Sequence, residues 1–351
     1  MTRTIVESST KTAVIGFDEP FCVIGERINP TGRKILAAEL EAGNFSTVER
    51  DVMLQVATGA NILDINAGVV YNSNPNPNYT EPPLMKQMIE LVQKLSDIPL
   101  CIDSSVPAAL EMGLKTANGR PLLNSVTGEE DRLDFILPLV KKYNVPVVAI
   151  SNDDSGISED PDVRFDVARK IVERASDFGI PTCDIVVDPL VMPIGAMPSA
   201  GHQVFTLIRK LRQELGVNTT CGASNVSFGL PNRHGINKVF LPMAISAGMT
   251  SAIMNPIALP VTQKRIQEKK KECAENGILI PDSIDNETFV KLFGLGSTKF
   301  QSGSEMEAIR AANLLTNNDP NGSAWINSNK PEGTNNNFSR RNSRRSGRRR
   351  A

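Results

Sequence analysis

The chain has 351 residues, of which 40% are hydrophobic, 22% charged and 5% aromatic. That is enough for one large α/β barrel or two ordinary domains with a full core, and too few rings for a stacking platform on single-stranded nucleic acid. The net charge of −1 hides an asymmetry: seven arginines lie between Arg340 and Arg350, and without them 31 basic groups face 39 acidic ones, or −8. The five cysteines (Cys22, Cys101, Cys183, Cys221, Cys273) are odd in number and form no Cys-x-x-Cys pair. A disulfide framework and a zinc spacing are both excluded, and a reducing compartment fits. Met1 to Ser9 is polar and no run reaches the ~20 apolar residues of a membrane span, so a soluble cytoplasmic protein without membrane contact is expected.

In chain order, Thr12–Ile15 reads as a strand of an N-terminal hairpin within residues 1–20. From Phe21 onward, short β-rich runs alternate with longer helical patterns eight times. The strand candidates are Cys22–Arg27, Ile62–Ala67, Leu100–Ser104, Leu122–Val126, Val147–Ser151, Ile185–Leu190, Thr220–Val226 and Ala252–Asn255. The helical stretches are Val48–Thr58, Leu84–Leu95, Ala108–Thr116, Leu133–Tyr143, Val163–Phe178, Val204–Leu215, Ile236–Ala247 and Val261–Glu275. Strands apolar on both faces need helices outside, and eight such units match a closed (β/α)8 TIM barrel over residues 21–280. A doubly wound open sheet normally offers a Gly-rich turn after its first strand; here that place reads Gly25-Glu26-Arg27-Ile28-Asn29-Pro30. Residues 281–326 read as a C-terminal helical extension, with helices around Glu287–Phe293 and Glu305–Leu315. Residues 327–351 are Asn, Ser, Gly and Arg with almost no apolar content, which predicts a disordered tail. Its arginines suit an anionic partner, although a solvated tail with weak nonspecific affinity is the plainer reading.

In this fold the C-terminal strand ends build the active site. In order they present Glu26, Arg27 and Asn29; Asp64 and Asn66; Asp103 with Ser104; Asn124 with Ser125; Ser151 with Asn152; Asp188; Ser224 with Asn225; and Asn255. Asp and Asn also cap helices at such junctions, and Asp131 and Asp160 read as caps of that kind. The set holds no Lys and one Arg, against a phosphate site. Its composition also argues against a bound metal, because the two histidines, His202 and His234, lie in loops at helix starts. Nor do those two assemble a Ser/His/Asp or Cys/His set. Carboxylates that accept and amides that both donate and accept suit a neutral heterocycle with several N–H donors and one carbonyl. A pterin is such a ligand.

Six segments, in order, resemble the pterin-binding methyltransferases, in particular the methyltetrahydrofolate:corrinoid-protein methyltransferases and the folate domain of cobalamin-dependent methionine synthase. They are Ile24-Gly25-Glu26-Arg27-Ile28-Asn29, Leu63-Asp64-Ile65-Asn66-Ala67-Gly68, Cys101-Ile102-Asp103-Ser104, Leu123-Asn124-Ser125, Asp188-Pro189-Leu190 and Gly222-Ala223-Ser224-Asn225-Val226-Ser227. The resemblance implies that Asp103, Asn124 and Asp188 hold a pterin by its pyrimidine edge, with Glu26, Asp64 and Asn66 in the same pocket. It sets Asn225 beside N5, the methyl-bearing atom, as the catalytic residue. It gives Arg233 to the anionic glutamate tail of methyltetrahydrofolate. At Phe228 the chain departs from the glutamine of the family, leaving either simple loop packing or a lost polar contact.

The resemblance further implies methyl transfer between N5 and the cobalt of a corrinoid, in one-carbon metabolism. No Asp-x-His-x-x-Gly segment is present, so the corrinoid (cobalamin) belongs on a separate partner protein docking over the barrel mouth. Homodimerisation is a family expectation alone, and direction of transfer stays open. Val191–Gly201, rich in Pro, Gly and Met, is either a lid or docking surface or an ordinary loop. No strongly acidic side chain is evident beside Asn225, which leaves solvent as a proton source. Two alternatives share the pterin site: a dihydropteroate synthase-like enzyme and a non-catalytic folate-binding regulator. The first would need a Ser-Arg-Lys-like segment where Ser224-Asn225-Val226-Ser227 stands, and an Arg-x-His-like strand where Ile253-Met254-Asn255-Pro256 stands.

Overall fold

Strands that are apolar on both faces must be covered on both, and the chain does this by closing its sheet. A computed structural model describes residues 2–69, 76–258, 271, 275, 305–319 and 322–329. The hairpin β1 (Arg3–Glu7) and β2 (Thr12–Gly16) precedes β3 (Cys22–Ile28), β4 (Ile62–Asn66), β5 (Leu100–Asp103), β6 (Leu122–Thr127), β7 (Val147–Ile150), β8 (Ile185–Asp188), β9 (Asn218–Thr219) and β10 (Ser251–Met254). Strands β3 to β9 pair in sequence order, all parallel, and β10 pairs in parallel with β3. The ring closes where Gly222 bridges Ile253, whose N–H donates to the Cys221 carbonyl at 2.8 Å.

Helices α1 (Lys34–Glu41), α2 (Ser46–Ala57), α3 (Pro77–Leu95), α4 (Pro107–Thr116), α5 (Glu130–Tyr143), α6 (Pro161–Asp177), α7 (Ala200–Lys210) and α8 (Arg233–Ala247) form the outer layer. The TIM-barrel expectation holds. Helix α1 was not expected: it has eight residues, no side-chain cap and only Leu36 and Leu40 buried, too little for a periodic signal. Helix α3 starts well before Leu84, because Asn76 caps it and Pro82 and Pro83 interrupt the pattern of its first turns. Asp160 does cap α6, accepting from the Asp162 N–H at 2.9 Å. Asp131 does not cap α5; it lies in the first turn, where a negative charge complements the helix dipole. Of the expected helix Val261–Glu275 only Lys271 and Glu275 are described, both helical, and Glu287–Phe293 and residues 330–351 of the tail lie outside the described residues. Glu305–Leu315 is a helix, and a further one, Ser323–Ser328, runs into the segment expected to be a disordered tail from residue 327.

The seventh barrel strand also differs. Thr220–Val226 was expected; the strand is Asn218–Thr219, and Ala223–Ser227 is a 3-10 turn. Asn218, fully buried, donates to the Thr4 hydroxyl at 3.0 Å and the Ile15 carbonyl at 2.8 Å. A polar residue serving the hairpin inside the barrel therefore hid the strand's apolar signal.

Side-chain alternation orders the interior. Val6 and Ile15 of the hairpin pack with Ile24, Ile62, Cys101, Leu122, Val148 and Val186, so the hairpin plugs the barrel floor. Two residues along the same strands stand Glu26, Asp64, Asp103, Asn124 and Asp188. Because two steps return a side chain to the same face, these polar groups form the next inward layer, nearer the C-terminal mouth. Leu63, Ile65, Ile102, Leu123 and Val187 face outward into the helix layer.

Arg120 fastens the plug. It pairs with Asp184 at 2.6 Å, donates to the Ile5 carbonyl at 2.7 Å and to the Asn144 carbonyl at 2.7 Å. Arg120→Ala strands the buried Asp184 carboxylate and is expected to destabilise the fold by about 3 kcal/mol in urea unfolding. A change below about 0.5 kcal/mol, the range of ordinary surface substitutions, would show that the hairpin is held by apolar packing alone.

Candidate functional site

Asp103, on β5, sits between neighbours of matching register, Asn66 on β4 and Asn124 on β6. Asn66 Nδ2 donates to Asp103 Oδ2 at 2.9 Å, and Asn124 Nδ2 approaches Asp64 Oδ1 at 3.5 Å, the outer limit of a hydrogen bond. Asn66 also accepts from the Gly68 N–H at 2.8 Å, so it shapes its own loop as well as its neighbour. Asp64 is buried deepest. Burial and the nearby Asp103 charge push its carboxyl well above the usual range, against donation from Cys101 and Asn124. Burial also lifts Asp103, to about 6, despite the Asn66 hydrogen bond. Of these two neighbouring carboxyls, Asp64, the more buried, is pushed further toward its neutral form.

Asp188 ends β8. Its Oδ1 accepts from the Leu190 N–H at 2.7 Å, and burial pushes the carboxyl up to about 7, partly offset by that bond and by the Arg164 charge. No hydrogen bond joins it to Asp103 or Asn124 among the described residues; it shares their inward layer on the barrel's other side. Glu26 belongs to a third group. Ser224 donates to its Oε1 at 2.9 Å, and burial raises its carboxyl against the pull of Ser224, Arg27 and Arg233. Gly25 beneath it is required: a Cβ there would lie 2.5 Å from the Gln55 Oε1 that accepts from the Arg27 N–H.

Asn225 lies on the 3-10 turn after β9, exposed at the mouth, and its amide has no hydrogen-bond partner among the described residues. Its Nδ2 would be 2.8 Å from a Cβ at residue 222, so Gly222 makes room for it. Arg233, at the start of α8, donates to the Ser227 hydroxyl at 3.1 Å and the Ser224 carbonyl at 2.6 Å. Its guanidinium lies 5.6 Å from the ring centroid of Phe228, which is 64% exposed and thus not buried loop packing. A cavity of about 390 Å³, lined by Glu26, Arg27, Ser224, Arg233 and Asn255 among others, opens beside this turn. Asp103, Asn124 and Asp188 do not line it, so polar ring and cavity are adjacent compartments.

Other strand-end residues take structural parts. Ser151 Oγ donates to the Asp188 carbonyl at 2.8 Å, and Asn255 accepts from the Ile257 N–H at 3.1 Å. Loop Val191–Gly201 is anchored: Val191 and Ile194 are buried and the Ile194 N–H donates to the Val226 carbonyl at 3.0 Å. Two participants were not singled out from the sequence. Glu81 accepts from Ser104 in a short hydrogen bond behind Asp103, and Arg164 stands behind Asp188. Each lies early in a helix, where a charged residue reads as surface. Cys22, Cys101 and Cys221 are buried, as expected for strand thiols, and burial pushes Cys22 up to about 12.

Among the described residues no group of three or more His, Cys, Asp or Glu is arranged to hold a metal ion, and no helix is long and apolar enough to cross a membrane. The chain is similar to solved dihydropteroate synthases: one from Xanthomonas albilineans aligns over 80% of this chain and 100% of its own, with a TM-score of 0.54 and 19% identity, a likeness of fold alone. It is 29% identical over 245 residues to a methylcorrinoid:tetrahydrofolate methyltransferase of Eubacterium limosum, covering 67% of this chain and 84% of that protein. It is 29% identical over 282 residues to methionine synthase of Mycobacterium leprae, spanning 23% of that longer protein. The family described as pterin binding enzyme matches residues 25–255, from the glycine under Glu26 to the last strand end, and the chain belongs to that family.

Proposed function

We propose that the chain transfers a methyl group between N5 of methyltetrahydrofolate and a corrinoid carried by a separate protein. The observation that carries this reading is the inward polar layer directly above the plugged barrel floor, with one unpartnered amide, Asn225, exposed at its rim. In this reading Asp103 and Asp188 accept from the N–H donors of the pterin's pyrimidine edge, and Asn124 exchanges hydrogen bonds with the same edge. Asp64, Asn66 and Glu26 hold these groups in place, and the cavity at Arg233 takes the aminobenzoyl-glutamate tail. The similarity to a methylcorrinoid:tetrahydrofolate methyltransferase over 84% of that protein favours methyl transfer over the dihydropteroate synthase reaction. So do Asn225 and Asn255, which stand where the synthase reading needs cations.

When bound, the corrinoid supplies the nucleophile that accepts the methyl. The exposed position of Asn225 leaves its side of the mouth open to such a partner. The chain's own task is to make N5 a better leaving group. As the N5–CH3 bond breaks, the electron pair stays on N5, and a hydrogen bond from Asn225 Nδ2 strengthens as that charge develops. The proton that completes the amine comes through a network. Glu26, raised by burial, is the carboxyl that accepts from Ser224 next to Asn225.

A pH dependence of binding follows. Ligand N–H groups favour the ionised carboxylates, so binding lowers pKa values of about 6 for Asp103 and about 7 for Asp188 and releases protons. Tetrahydrofolate affinity is therefore expected to rise with pH through this window and level off above it. Calorimetry in buffers of different ionisation enthalpy measures the release. Affinity that falls across the same range, or proton uptake, would contradict this assignment of acceptors.

A further inference from the structure

Arg164, the fourth residue of α6, is 1% exposed, and no carboxylate lies within 4.0 Å of it among the described residues. An unpaired buried guanidinium is costly, so what it does instead is informative. Its Nη1 donates to the Pro189 carbonyl at 2.9 Å and the Leu190 carbonyl at 3.0 Å, and its Nη2 to Gln203 Oε1 of α7 at 3.0 Å. Gln203 is itself held, donating to the Ser199 hydroxyl at 2.9 Å. The fork thus clamps the two residues after Asp188 between two helices.

The clamped turn needs holding. Leu190 has φ +58°, a left-handed conformation unfavourable for a side-chain-bearing residue. In the same turn the Leu190 N–H donates to Asp188 Oδ1 at 2.7 Å. We infer that Arg164 is a positioning residue for Asp188: it holds the Pro189-Leu190 turn that orients the carboxylate, and its charge keeps that carboxylate ready to accept from a ligand. A neutral side chain could fill the space but would supply neither the paired donors nor the positive charge.

The charges facing Asp188 support this division of labour. Arg164 is the cation that favours its ionised form, while the Cys221 thiol beyond β9 faces Asp188 and is itself held neutral by burial. The Glu26 charge also acts on Cys221, and Asp160 at the start of α6 acts on Arg164. The ligand consequence rests on the reading that Asp188 holds a pterin; the effect on Asp188 itself does not.

The test uses the full chain with 13C-labelled aspartate, the Asp188 carboxyl signal being assigned by its loss in Asp188→Asn. Arg164→Gln is expected to move the Asp188 titration midpoint upward by about one pH unit, a tenfold change in its ionisation equilibrium. Tetrahydrofolate affinity should then fall about fivefold more at pH 7 than at pH 9. Arg164→Lys should restore most of the midpoint but not the pH 9 affinity, since an ammonium lacks the planar fork. An unmoved midpoint with uniform loss of affinity at every pH would reduce Arg164 to a packing residue and overturn the inference. If Arg164→Gln does not fold, Arg164→Lys decides: weakened affinity at pH 9 supports the clamp, and unchanged affinity overturns it. Absence of tetrahydrofolate binding to the unaltered chain would remove the proposed function, and the carboxyl midpoint would still decide the role of Arg164.

Discussion

Asn225→Ala is expected to lower the rate of methyl transfer by about a hundredfold or more, with folate affinity changed by less than about threefold. The split follows from the position of the amide. Asn225 lies on a turn at the rim, outside the polar layer that grips the pterin in this reading, and it makes no hydrogen bond within the described residues that its loss would break. Its contribution is therefore confined to the hydrogen bond that grows as N5 takes up the leaving electron pair. Gly222→Ala provides a companion without touching the amide itself. The added methyl would lie 2.8 Å from Nδ2 and must displace it, so transfer should slow while the pterin group stays intact. Single-turnover rates beside equilibrium folate binding check both variants. Equal losses in rate and affinity would assign Asn225 to ground-state binding.

Asp188→Asn should move stability and binding in opposite directions. The Asp188 carboxyl is raised to about 7 in the folded chain, above its unfolded value, so the folded state favours the protonated form. Its contribution to stability is fully present below about pH 4 and lost as pH rises to about 7. An amide has no such loss. The variant should gain stability relative to the parent over that interval, by at most a few kcal/mol, and the difference should be level above it. Folate affinity should fall by about 3 kcal/mol, more than a hundredfold, because an amide N–H2 would face ligand donors where a carboxylate accepted them. Urea unfolding and calorimetry from pH 4 to 8 read the two effects. A variant less stable than its parent at pH 8 would make Asp188 a structural residue.

The barrel and its polar layer were largely legible in the sequence because both depend on period-two alternation. In Ile62-Leu63-Asp64 and Cys101-Ile102-Asp103 an inward apolar residue is followed two steps later by an inward carboxyl, and the outward residue between them is apolar. The same alternation failed around Asn218, whose side chain is spent on hairpin carbonyls; a partner some 200 residues distant leaves no local trace. The sequence also could not separate Asn66 and Asn255, which fold their own loops, from Asn124, since an Asn at a strand end serves a cap or a ligand equally. Arg164 was hidden for a related reason. Early in a helix it reads as a solvated charge, and only the return of Pro189 and Leu190 against α6 makes it a buried clamp. Phe228 was left open between packing and a lost contact; its exposure beneath the Arg233 guanidinium followed from the turn geometry, which strand-like periodicity misread.

The most direct test of methyl transfer mixes excess chain with methyltetrahydrofolate and chemically reduced free cobalamin, under anaerobic conditions, in a single turnover. The expected result is matched loss of the reduced-cobalamin absorbance and formation of tetrahydrofolate, accelerated over a chain-free control and abolished to near background by Asn225→Ala. Tight folate binding with no acceleration over that control would contradict methyl transfer and leave a folate-binding protein.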